Sequence, residues 1–172
     1  MKDEELLGLI QTKLPDTTPS IVYSHRLKLK PYLEKLHDTC STLLSMGFDH
    51  LQTICVTDYP QTGEFEFNYI IGSVQDSLKE NIIMVVLRLP RARPIVPTVK
   101  DVWPAAVQLE REEFEMLGVR FEGNPELKFL YLPEDWNEIP PLLKDYKLKR
   151  WVDEERDRHD LVIERVEHER EH

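Results

Sequence analysis

The alternation of apolar and polar positions divides the chain into elements before any chemistry is considered. In "DEELLGLIQTKL", Leu6, Leu7, Ile10 and Leu14 recur at helical spacing, with Asp3 placed to cap the helix and Pro15 to stop it. "SIVYSHRLKLK" alternates instead, putting Ile21, Tyr23, His25, Leu27 and Leu29 on one face of a predicted strand. Pro31 and Gly47 bracket a second predicted helix whose inner stripe is Leu33, Leu36, Cys40, Leu43 and Leu44. "HLQTICVTDY" and "EFEFNYII" read as two strands of a hairpin turning at "PQTG". "NIIMVVLRL" is apolar at most positions, which predicts a central strand covered on at least one face.

Four prolines then interrupt "PRARPIVPTVKDVWP", and a third helix is predicted from about Trp103 to Leu117, ending at Gly118. The stretch that follows, "VRFEGNPELKFLYLPEDWNEIPPLLKDYKLKRW", is rich in proline and aromatics and has no period. Such a segment is expected to run extended over another surface, either its own domain's or a partner's. The order α-β-α-β-β-β-α predicts a single α+β domain with a mixed or antiparallel sheet backed by helices. The expected divisions are an α+β domain over 1–118, an extended docking segment over 119–151, and an acidic tail over 152–172.

Composition narrows the function classes. With 172 residues and 41% hydrophobic content, the chain can build a real core. Its formal net charge of −10 argues against nucleic acid, whose phosphates demand clustered Lys and Arg. Residues 153–172 alone hold nine acids against four arginines. Cys40 and Cys55 are too few for an ordinary iron–sulfur cluster or an all-cysteine zinc site. The longest apolar run, "IIMVVL", falls far short of the ~20 residues of a membrane helix. A soluble protein in a reducing compartment is expected, reaching a membrane only through a complex.

The terminal "HEREH" fits H-E-x-x-H, with His168 and His172 as zinc ligands and Glu169 as base. A zinc hydrolase also needs a third ligand, which the families using this motif take from downstream, and a buried setting. Nothing follows His172 in the sequence, and no apolar residue lies inside the motif. Zinc hydrolysis therefore stands as the remote alternative. The six glycines form neither a phosphate loop nor a dinucleotide fingerprint. His25 reads as a satisfied core histidine, Cys40 as a small core hydrophobe, and Asp58 with Tyr59 as the lead into a hairpin turn. No catalytic, cofactor or metal residues are expected in the chain.

The informative stretch is 110–146. In "EREEFEMLG", Arg111 and Glu115 stand at the spacing of a surface ion pair. Glu110, however, falls on the same stripe as Val107, Phe114 and Leu117, where a charge must be paired or must meet a partner's charge. The aromatics, prolines and charges that follow without a period suit a docking surface.

At these residues the chain resembles the 30 kDa subunit family of respiratory complex I (the C subunit of NADH–quinone oxidoreductase) and its homologues in membrane-bound energy-converting hydrogenases. The residues that carry the resemblance are Glu110, Arg111, Glu112, Phe114, Gly118, Phe121, Gly123, Pro125, Leu127, Pro133, Asp135, Trp136, Pro141, Leu142, Lys144, Asp145 and Tyr146. Glu115 stands where the family has Asp, Leu117 for an aromatic, Asn124 for His, and Leu143 for Arg. One residue is inserted between Trp136 and Pro141.

The resemblance implies a subunit without a cofactor of its own. Iron–sulfur clusters and any metal centre would lie in neighbouring iron–sulfur subunits and in a hydrogenase-large-subunit-like protein of the 49 kDa type. It also implies a place on the cytoplasmic side of the cell membrane, in the hydrophilic arm of an ion-translocating complex. The interface residues it implies are those same signature positions, from Glu110, Arg111, Glu112, Phe114 and Glu115 through Gly118, Phe121, Gly123, Pro125 and Leu127 to Pro133, Asp135, Trp136, Lys144, Asp145 and Tyr146. The departures and the charged fraction of 31% favour a membrane-bound hydrogenase or related archaeal-type complex over a NADH–quinone enzyme.

Overall fold

A computed structural model describes residues 2–146. Helix α1 (Asp3–Lys13) is followed by strands β1 (Ser20–Tyr23) and β2 (Arg26–Leu29). A short 3₁₀ turn at Leu33–Lys35 leads into α2 (Leu36–Ser45). Strands β3 (His50–Tyr59), β4 (Glu64–Gly72) and β5 (Ile82–Pro90) come next, and the three-residue strand β6 (Ile95–Pro97) precedes α3 (Ala106–Leu117) and strand β7 (Arg120–Glu122). The α+β class holds, and of the two expected sheet types the mixed one is realised. The main sheet runs in the order β1-β2-β5-β4-β3, with β2 and β5 parallel and the other neighbours antiparallel.

The strand patterns explain that order. Phe65, Phe67, Tyr69 and Ile71 alternate on β4 and are all buried, while Glu66, Asn68 and Ile70 between them are half-buried on the other face. They lie level with Leu89, Leu87, Val85 and Ile83 on β5 and so line one core face across the sheet's centre. Against this face pack Leu6 and Ile10 of α1, and Leu36, Cys40 and Leu43 of α2. Burial of such side chains, at ~1.5–3 kcal/mol each, is what holds this region together.

Two early expectations are corrected. "SIVYSHRLKLK" is a hairpin, not one strand. His25 adopts φ 60°, and its backbone N–H donates to both carboxylate oxygens of Asp3 at 3.1 Å. Asp3 thus ties the turn to the first turn of α1 instead of capping that helix. His25 therefore sits at a turn and not on an apolar face, and Tyr23 is 74% exposed. The second correction is that the proline-rich stretch does contain a strand. β6 pairs in parallel with β7, level at Val96 and Phe121, and both of those side chains are fully buried.

The sheet's outer edge at β3 is covered by α3. Trp103 anchors the approach to this helix, its indole Nε1–H donating to the carbonyl of Phe48 at 3.2 Å.

Candidate docking surface

Beyond Glu122 the chain has no further helix or strand among the described residues, so its backbone groups must find partners elsewhere. Helix α3 supplies them. Glu110 is fully buried and accepts three hydrogen bonds: from the Thr98 hydroxyl at 2.6 Å, the Val99 N–H at 2.8 Å, and the Asn124 amide at 2.9 Å. Burial pushes its carboxyl above the usual range, and these donors pull it back.

Arg111 donates from Nε to the carbonyl of Lys128 and from Nη2 to that of Phe129, each at 2.7 Å. One turn on, Glu115 accepts from the N–H groups of Leu130 (2.9 Å), Tyr131 (2.7 Å) and Leu132. Five consecutive residues of an irregular segment are thus held by two charged side chains of one helix. Such charge-assisted bonds are about twice as strong as neutral ones.

The surface ion pair that the i,i+4 spacing allows is not formed. Arg111 and Glu115 do not hold each other, because an unladdered backbone offers each of them better partners. Glu110, expected on the packing stripe, is there and is satisfied within its own chain.

Asn124 completes this part of the joint. Its amide donates to Glu110 and to the Val107 carbonyl (3.2 Å), and its oxygen accepts from the Glu126 N–H (2.9 Å). The Asn124 amide therefore fills a donor and an acceptor role at once.

The glycines of the signature fit the same close approach. Gly118 ends α3 at φ 73°, and a Cβ there would meet Pro140 Cγ at 2.9 Å. Gly123, at φ 93°, would press on Thr98. Both positions demand glycine for conformation and for space.

The far end of the segment is fastened to the sheet. Arg91, just past β5, lies 2.7 Å from buried Asp58 through Nε, at an angle poor for a hydrogen bond, and bonds its other oxygen at 3.0 Å. The same guanidinium meets Asp145 at 2.8 Å, and the Lys144 N–H donates to Asp58 at 2.9 Å. Met116 accepts from the Leu142 N–H at 2.9 Å. Sequence reasoning missed Asp58 and Arg91. Asp58 occupies an inward position of β3, level with Phe65, and a charge at an inward strand position is the signal that was available.

The expected interface residues fall into three sets. Glu110, Arg111, Glu115 and Phe121 are buried in the chain's own interior; Phe114, Leu127, Trp136 and Tyr146 are half-buried. Glu112, Gly118, Gly123, Pro125, Pro133, Asp135, Lys144 and Asp145 are exposed. Between them, Leu130, Tyr131, Ile139 and Leu142 stand exposed as large apolar groups on the held segment. Phe114 stacks with Phe129 at 6.3 Å between ring centroids, and with Leu127 they border a shallow apolar hollow.

Candidate chemistry elsewhere is sparse. Cys40 is buried, and burial pushes its thiol far up, with Glu110 adding to the effect. Among the described residues no three of His, Cys, Asp and Glu gather to hold a metal. His168, Glu169 and His172, like the rest of the acidic tail, lie outside the described residues. No described helix is long and apolar enough to cross a membrane.

Comparison with known proteins bears on what this surface is for. Residues 29–152 match the family described as respiratory-chain NADH dehydrogenase, 30 Kd subunit. The chain is 35% identical over 150 residues to the C subunit of F(420)H(2) dehydrogenase from Methanosarcina mazei, covering 86% of this chain and 93% of the relative. It is 38% identical over 103 residues to the C subunit of NADH-quinone oxidoreductase from Moorella thermoacetica, covering 60% and 67% respectively. Among solved structures it superposes on a chain of a membrane-bound sulfane sulfur reductase, an archaeal respiratory membrane complex. The TM-score there is 0.78 and the identity 28%, with 88% of this chain and 89% of that one covered.

Proposed function

The chain belongs to the 30 kDa subunit family of respiratory-chain NADH dehydrogenase, and from that premise we infer that it is a cofactor-free scaffold subunit of a complex I-like oxidoreductase. Membership makes it the C-type subunit of such an enzyme. The scaffold role, the partner and the type of complex are the further steps.

The observation that carries the scaffold role is the held segment. The chain commits Arg111 and Glu115 to ordering residues 128–132, and that order leaves Leu130 and Tyr131 facing outward. Ordering an aperiodic segment is costly, at ~1–2 kcal/mol per residue, and its use is to present a preorganised surface. An apolar surface with Pro and aromatic neighbours suits a large obligate partner. That partner is the hydrogenase-large-subunit-like protein of the 49 kDa type, with iron–sulfur subunits beyond it. The assembly sits on the cytoplasmic side of a membrane.

The archaeal type of complex, of which a membrane-bound hydrogenase is one form, is supported by the longer match to the methanogen subunit than to the quinone-linked one. The same subunit in a NADH–quinone oxidoreductase is the second reading, supported by the Moorella relative.

The test is recovery of the partner by pull-down from cells expressing the whole complex. Leu130→Asp combined with Tyr131→Asp is expected to cut recovery at least about tenfold, since hot-spot residues contribute ~2 kcal/mol or more. Arg156→Ala, in the acidic tail, is expected to leave recovery unchanged. Equal recovery for the two variants would remove this segment from the interface.

A further inference from the structure

Phe114 of α3 and Leu127, Lys128, Phe129 and Glu134 of the held segment border a hollow of about 360 Å³. Its walls are stiff. Arg111 pins the carbonyls of Lys128 and Phe129 at 2.7 Å each, and the Phe129 ring stacks on Phe114. Phe114, Leu127 and Phe129 are half-buried, so apolar surface stays open at a place the chain has already ordered. A wall fixed in advance lowers the cost of receiving an occupant. Shallow and at the low end of the ~300–1,000 Å³ of small-molecule pockets, the hollow fits a large apolar side chain better than a cofactor.

The charge around it is one-sided. Residues 124–138 carry four acids, Glu126, Glu134, Asp135 and Glu138, against Lys128 alone. Glu126, Glu134 and Asp135 are exposed and enter no ion pair among the described residues. Glu134 and Asp135 stand at the tip of a turn closed by the Trp136 N–H, which donates to the Pro133 carbonyl at 3.0 Å. Carboxylates left unpaired beside an apolar surface are complementary to a face that brings cations of its own.

We propose that the hollow receives an apolar side chain of the partner subunit, carried on a segment whose neighbouring Lys or Arg residues meet Glu134 and Asp135. This rests on the scaffold reading above and adds the chemistry of the partner's face. The apolar anchor supplies affinity, while the cations fix register and steer the encounter.

The test uses cells expressing the whole complex. Photo-reactive p-benzoylphenylalanine in place of Lys128 marks the occupant, and the cross-linked peptide is identified by mass spectrometry. The expected product is a peptide of the partner with a large apolar residue beside Lys or Arg. A cross-link only to this chain's own residues 147–152, or to an acidic peptide of the partner, would overturn the proposal. Glu134→Lys with Asp135→Lys is expected to cut recovery of the partner at least about tenfold at about 50 mM salt, and less than about threefold at about 500 mM, where surface charges are screened. Changing the cross-linked Lys or Arg of the partner to Glu is expected to restore recovery of that charge-swapped chain. If the charge swap recovers as much partner as the native chain while Leu130→Asp with Tyr131→Asp still loses it, the basic anchor is overturned and the scaffold reading stands. No loss from either double variant would remove the segment from the interface and overturn both.

Discussion

The sheet around β4 and the segment 119–146 are ordered by opposite means. In the sheet, the backbone is satisfied by its own ladders, and the side chains are free to be apolar and buried, as Phe67 and Ile71 are. In the segment the roles invert. Past β7 the backbone has no ladder, so charged side chains on a neighbouring helix take the place of a strand, and four of the segment's large apolar groups, Leu130, Tyr131, Ile139 and Leu142, are left facing out. The difference teaches that a cluster of charges on a helix need not be a solvated face. When an aperiodic segment follows, those charges are candidate partners for its backbone.

That inversion predicts different consequences of mutation. The largest effect is expected from Phe67→Ala, which empties a fully buried site where Phe67 meets Phe121 edge-on at 6.2 Å between ring centroids. It should cost ~3–5 kcal/mol in chemical denaturation and weaken both regions together. Glu115→Ala should cost somewhat less, ~2–4 kcal/mol, because it strips the acceptor from three N–H groups. Its damage should be confined to the segment, and an equal loss of protection in β4 would show that the two regions are one cooperative unit. Arg111→Ala, which releases two carbonyls, should cost ~2–3 kcal/mol with the same confinement.

A smaller effect is expected from Glu113, on the face of α3 that covers the β3 edge. Burial raises its carboxyl from 4.5 to about 7, opposed by a hydrogen bond from the Val56 backbone and reinforced by the charge of Glu112. Between those two values the folded chain holds a proton that the unfolded chain releases. This contribution to stability is therefore full below about pH 4.5 and is lost as pH rises through 7. After allowance for partial solvent exposure it amounts to ~1–2 kcal/mol. Glu113→Gln should flatten stability against pH across that window, as followed by denaturant midpoints at pH 5 and pH 8. The smallest effect belongs to Lys79→Ala, whose pair with Asp76 is open to water and should matter by less than ~0.5 kcal/mol.

Much of the sheet was legible because strand periodicity is local. The β3–β4 hairpin and the central place of β5 follow from alternation and a turn signal within a few residues. The reading failed where a distant group decided the local geometry. Alternation runs unbroken through "SIVYSHRLKLK", and only the Asp3 carboxylate, 22 residues from His25, marks the turn. β6 and β7 are three residues each, too short to show a period, and they exist because Val96 and Phe121 are buried together.

For the site, the signature pointed to the right helix and the right segment. Its internal pairing was not legible because i,i+4 spacing looks the same whether the two charges meet each other or a backbone 15 or more residues downstream. Asp58 and Arg91 were missed because their contacts lie 33 and 86 residues away in sequence.

The central claim is that charged side chains of α3, rather than burial, hold the segment in place. Amide hydrogen exchange at Leu130, Tyr131 and Leu132 in the full chain, compared with the Glu115→Gln variant, tests it most directly. The neutral amide keeps the shape and removes the charge, so exchange at those three amides should speed by roughly a hundredfold while the amides of β4 keep their protection. Equal exchange at residues 130–132 in the two proteins would contradict the claim and leave Glu115 a bystander to apolar packing.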